Sequence, residues 1–178
     1  LDGETEYYVL IDATAFDDSL SNSYAGISST TTLSFTTVSV APTLSSSTPA
    51  DNATAVGVNA NIVLNFSKIV DVETGNITLK KTSDNSTVET IDVTGSKVTG
   101  TGTTQITVNP AVTLDDLTEY YVLIDATAFD DSSSNSYAGI SSTTALSFTS
   151  ANVLPTLSSS TPADDATDVE RDANIVLN

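Results

Sequence analysis

The chain of 178 residues has no cysteine, histidine, methionine or tryptophan, and only 5 basic residues against 23 acidic ones. Each absence excludes a chemistry. Without His or Cys there is no Ser-His-Asp triad, no thiol nucleophile and no zinc or iron–sulfur site of the usual ligand types. The net charge of −18 opposes binding to nucleic acid or an anionic membrane surface, since both require clustered Lys and Arg. No apolar run approaches the roughly 20 residues needed to span a bilayer. No signal peptide opens the chain, and it does not begin with Met, so it reads as a piece of something longer. An all-carboxylate inventory leaves hard-cation binding, or no small ligand at all.

What the chain has in excess is small hydroxyls: 30 Thr and 25 Ser. Thr suits a pleated, half-wet surface and Ser suits turns. Apolar residues make up 39%, too many for a disordered chain. The stretch at 5–19 recurs unchanged at 118–132, and residues 1–65 align with 114–178 without a gap, 13 positions differing and 52 identical. A period of 113 residues predicts a tandem array rather than one domain. The Pro-bearing stretch at 40–49, repeated at 153–162, marks the boundary. It divides the chain into the C-terminal part of one repeat (1–40), a complete repeat (41–153) and the N-terminal part of the next (154–178). The partial repeats are expected to need further sequence or a neighbouring chain to close a core.

Within the complete repeat the apolar period is two, which means strands. Ile62, Leu64 and Phe66 share one face, as do Ile77 and Leu79, and Tyr120, Val122 and Ile124 form the expected inner face of the most apolar strand. Further short strands are expected at 87–93, 105–108 and 146–148. Turn signals separate them at 74–76, 83–86, 94–96, 99–102 and 109–110. No helical stripe is present. Seven or so short strands in about 110 residues predict an all-β, antiparallel, immunoglobulin-like β-sandwich. Tyr120 fits the tyrosine-corner position of such a fold.

Several segments together resemble a known family. They are a Pro-x-Leu…Ser-x-Pro-Ala-Asp opening (42–51), an Asn-Ile-Val-Leu-Asn-Phe-Ser strand (61–67), an Ile-Thr-Val-Asn-Pro strand (106–110), Tyr-Tyr-Val-Leu-Ile-Asp (120–125), Asp-x-x-x-x-Asn (130–135) and a final Phe-Thr. The chain resembles the bacterial Ig-like domain of S-layer proteins and giant surface adhesins. The resemblance implies a non-enzymatic spacer in an exported, cell-surface or extracellular protein. Two positions depart from the family pattern. Lys68 stands where an acidic residue is usual, and Ser21 and Ser134 stand where Gly usually precedes the loop Asn.

The candidate site is the loop with Asp130, Asp131 and Asn135, matched by Asp17, Asp18 and Asn22. Carboxylates, an Asn carbonyl and hydroxyls are the donors Ca²⁺ takes, though the loop lacks the Gly and the bidentate Glu of an EF-hand. The alternative is an Asx-type turn, with the side chains bonded to nearby backbone N–H groups. If Ca²⁺ binds, the expected place is a junction between modules. Four of the five carboxylates at 164–172 have no counterpart at 51–59, so that cluster reads as solvated surface. Paired carboxylates also suit glycoside hydrolysis, but no sugar-stacking Trp and no cleft accompany them, and no catalytic residue is expected. The Asn-x-Ser/Thr matches at 52, 65, 76 and 85 are of the kind a Ser/Thr-rich chain produces by chance.

The expected partners are neighbouring repeats of the same chain. A lattice or filament subunit pairing with copies of itself, and an adhesive module binding glycan or protein, are the alternatives.

Overall fold

A computed structural model describes residue 1 and residues 3–178. No helix occurs among the described residues, so none is long and apolar enough to cross a membrane. The strands in chain order are β1 Glu6–Tyr8, β2 Ser34–Thr36, β3 Leu44–Thr48, β4 Ala53–Val56, β5 Ile62–Val72, β6 Asn76–Lys81, β7 Thr87–Asp92, β8 Val98–Thr99, β9 Thr103–Val108, β10 Glu119–Ile124, β11 Phe129–Asp130, β12 Ser147–Ser150, β13 Ser160–Thr161 and β14 Val176–Leu177.

Strands β3 to β12 form the sandwich. One sheet runs β4-β12-β10-β6-β7, and the other runs β11-β5-β9-β8 with β3 also on β5. All pairs are antiparallel except β4 with β12. The alternation read from the sequence fills the space between the sheets. Ile62, Leu64 and Phe66 of β5 meet Ile77 and Leu79 of β6 and Tyr120, Val122 and Ile124 of β10 in one buried cluster. Tyr120 is fully buried, and its hydroxyl accepts the backbone N–H of Asp115 at 2.9 Å, the tie expected of a tyrosine corner. Removing that acceptor leaves a half-buried N–H without its partner. Tyr120→Phe is therefore expected to cost about 1–2 kcal/mol, read as a lower urea midpoint with an unchanged slope.

Three features depart from the sequence reading. Tyr121, which alternation with Tyr120 and Val122 would place on the outer face, is buried as well. Its hydroxyl donates to Asn85 Oδ1 at 3.1 Å, so the β6–β7 turn covers that face, a contact no alternation pattern encodes. Strand β3 reads Leu-Ser-Ser-Ser-Thr, without apolar alternation, and it pairs with β5 along the backbone, with the Asn65 side-chain amide also donating to Ser46 Oγ at 3.0 Å. Strand β11 has only two residues, too few to show a period.

The flanking segments repeat the local pairing of the sandwich. Glu6 pairs with Thr36 as Glu119 pairs with Thr149, and Ser160 pairs with Leu177 as Ser47 pairs with Leu64. Among the described residues none of their side chains is fully buried. Phe16 is 60% exposed, whereas its counterpart Phe129 is 0% exposed.

Candidate functional site

The loop that follows β11 is held from below by three aromatic rings. The Phe66 ring lies 5.3 Å from that of Phe129 and 5.2 Å, edge-on, from that of Tyr137. Phe66 sits two residues before Lys68, Phe129 two before Asp131, and Tyr137 two after Asn135. One buried cluster thus fixes both the lysine and the loop. Strand β5 also slips against β9 here. Asn65 faces Gln105 and Val70 faces Thr103, so five steps along β5 oppose two along β9. Such bulges redirect side chains, and this one carries Lys68.

The loop itself is an Asx turn. Asp131 Oδ1 accepts the N–H groups of Ser133 (3.0 Å) and Asn135 (2.9 Å), and the Asn135 side-chain amide donates to the same oxygen at 2.9 Å. Lys68 Nζ binds Asp131 Oδ2 at 3.0 Å. Asp131 is only 7% exposed. Burial by itself would raise its pKa. The Asn135 N–H, the Lys68 ammonium, the Asn135 amide and the Ser133 N–H outweigh that and hold it at about 2.

A carboxylate whose pKa is lower folded than unfolded adds stability at all pH values above its ordinary 3.8, and that stability disappears as pH falls through the folded value. Because the ion pair opens onto the surface, the contribution is discounted to about 1–2 kcal/mol. Acid titration between pH 4 and about pH 2 is expected to lower the melting temperature of the native chain more than that of Asp131→Asn. Parallel curves would refute the assignment.

The other loop residues divide between strand and solvent. Asp130 is half-buried in β11, where it pairs with Asp71 of β5 and bridges Ser136. In the first copy Asp17 bridges Ser23 in the same way. Asp18 Oδ1 accepts the N–H groups of Leu20 (2.8 Å) and Asn22 (2.9 Å), and its Oδ2 accepts the Asn22 amide at 2.9 Å. The same turn therefore forms at 17–22, with all three of Asp17, Asp18 and Asn22 exposed. Ser21 and Ser134 both take positive φ, 63° and 60°, so the left-handed backbone persists without the family's Gly.

As folded, the Asp131 carboxylate is already matched by an ammonium and N–H donors, which is not the environment of a Ca²⁺ ligand. Among the described residues no three acidic side chains converge on a metal-sized site. The acidic side chains at 164–172 are exposed.

Residues from the preceding segment complete the arrangement. The Lys68 ammonium also donates to the Val40 carbonyl, the Asn135 amide donates to Ser39 Oγ, and the Ser133 hydroxyl donates to the Glu4 carboxylate. Glu4 is held below its ordinary pKa, first by Ser133 and then by Ser39. The loop is thus where the first segment of the chain meets the sandwich. Sequence reasoning flagged Lys68 as a departure but not its role. It passed over Glu4, Ser39 and Val40, although Glu4 and Ser39 are among the positions where the copies differ.

The family model of the bacterial Ig-like domain matches residues 38–150. The crystal structure of an S-layer protein, rSbsC, is similar over 68% of this chain and 15% of its own, with 17% identity and a TM-score of 0.41. This chain therefore spans less than a sixth of that protein's length. No curated protein matches.

Proposed function

Because the chain belongs to the bacterial Ig-like domain family, we propose that it is a stretch of a spacer: non-enzymatic Ig-like modules of 113 residues, joined end to end, that extend a cell-surface or secreted protein. The units are those read from the sequence, with 41–153 as the complete module. One observation carries the reading. The residues leading out of one repeat, Glu4, Ser39 and Val40, are bonded to Lys68, Ser133 and Asn135 of the next, so the modules touch directly instead of being tethered. Contacts on both sides of a short connection restrict bending, as a Gly-rich linker would not. The surface charge keeps closely spaced modules soluble and mutually repelling. Near-identical copies suit a part whose value lies in number.

The test is small-angle scattering of three consecutive repeats, with and without millimolar Ca²⁺. A rod unchanged by chelation supports a spacer stiffened by its own side chains, the outcome favoured by the Lys68–Asp131 pair. A rod that loosens on chelation places the ion at the acidic loops. Particles far larger than three modules would replace the spacer with a lattice or filament subunit. The apolar side chains left open on the flanking segments, Tyr8, Phe16 and Phe35 among them, are the surface such assembly would use.

A further inference from the structure

The 13 differences between the copies are not scattered evenly. Three of them are Glu4 against Leu117, Ser39 against Asn152 and Leu20 against Ser133. These are the positions that meet at the observed junction: Glu4 and Ser39 on the trailing end of one repeat, Ser133 on the acidic loop of the next. At that junction both members of the pair are polar. The counterparts of Glu4 and Ser133 are both leucine, and both are open to solvent, Leu117 at 66% and Leu20 at 81%.

Equivalence of the positions is backbone-deep. Glu4 and Leu117 share a left-handed conformation, φ 54° and 49°, and the loops that carry Leu20 and Ser133 have the same Asx turn. A leucine held at positive φ is unusual for a bulky side chain, and here it points an apolar group into water. Beside it the trailing end of the complete repeat presents an open hollow lined by Val58, Thr113, Asp116 and Val153.

We infer that positions 4/117 and 20/133 form a matched pair that decides which repeats dock, and that the Leu117 face takes the acidic loop of another repeat carrying leucine where Ser133 stands. The occupant is a module of the same kind, because the observed junction already seats such a loop on the equivalent face. Burying two exposed leucines against each other is favourable, whereas a leucine opposite Glu4 would strip water from a carboxylate with no donor in return. The pairing thus fixes the order in which near-identical modules stack, and it opposes mispairing. It rests on the spacer reading.

The test is a mutant cycle in the native chain. Because the sequence lacks Cys, spin labels go cleanly onto Thr31→Cys and Ser83→Cys, both exposed, one on the first segment and one on the sandwich. Glu4→Leu alone and Ser133→Leu alone are each expected to roughly double the width of the label–label distance distribution, and the double variant to return it close to the starting width. A double variant as broad as the broader single would overturn the pairing. That result would leave the spacer reading standing, since a narrow distribution in the unmodified chain and rod-like scattering do not depend on the leucine swap. A broad distribution in the unmodified chain would overturn both.

Discussion

The chain carrying Phe129→Ala is expected to lose about 3–5 kcal/mol of stability, the usual cost of emptying a buried aromatic site. That should lower its melting temperature by more than about 10 °C in a unit of this size. Phe129 is fully buried, and its ring packs against Phe66. Its carbonyl also accepts the N–H of Tyr137 at 2.8 Å, which ties the far side of the acidic loop to β11. The same substitution at Phe16 removes the same ring from the same local sequence, yet Phe16 is open to solvent. Phe16→Ala should change stability by less than about 0.5 kcal/mol. Thermal melts of both variants decide the matter. Equal losses would mean that the first segment folds against a core of its own.

Gly139→Ala is expected to cost about 2–4 kcal/mol, through two effects that add. The backbone is left-handed there, φ 73°, which costs an alanine about 1–2 kcal/mol. A Cβ would also lie 2.4 Å from the Ile124 carbonyl oxygen and 2.8 Å from the Ala126 nitrogen, both backbone atoms that cannot move aside cheaply. The same Ile124 carbonyl accepts the Ile140 N–H at 2.8 Å, so relief of the clash breaks the bridge that closes the segment between β10 and β12. Gly57→Ala is the control: nothing lies within 4 Å of its added Cβ. It should melt within a degree or two of the native chain, while Gly139→Ala melts about 8 °C or more below it. A Gly139→Ala chain with native stability would show that this turn can be rebuilt at no cost.

Much of the sandwich was legible from the sequence because its signals are local. Period-two alternation at 62–66, 76–80 and 119–124 needs only neighbouring residues to be seen, and each of those segments became a strand with the expected face buried. The Asx turns were legible for the same reason, since Asp131 and Asn135 are four residues apart. Strand β3 was not, because three serines in a row carry no pattern and its place comes from the edge of β5. The burial of Tyr121 was not, since alternation turns it outward and no local rule reveals that the Asn85 turn folds over it. At the candidate site the carboxylates were legible but their counter-charge was not. Lys68 lies 63 residues from Asp131, and only the bulge in β5 brings it there.

The duplication separates the two contributions within one molecule. The segments at 5–19 and 118–132 are identical, and both copies make the same ladder: Ile11 bridges Ile27 as Ile124 bridges Ile140, and Glu6 faces Thr36 as Glu119 faces Thr149. The sequence by itself therefore determined strand register, turn type and the left-handed positions, because the hydrogen bonds that define them close within about thirty residues of chain. It did not determine what those residues experience. Phe129 is buried while Phe16 is exposed, and Asp131 is buried and paired with the Lys68 ammonium while Asp18 faces water. Burial and charge pairing require a second sheet and a lysine, which residues 62–108 supply to the second copy through contacts distant in sequence.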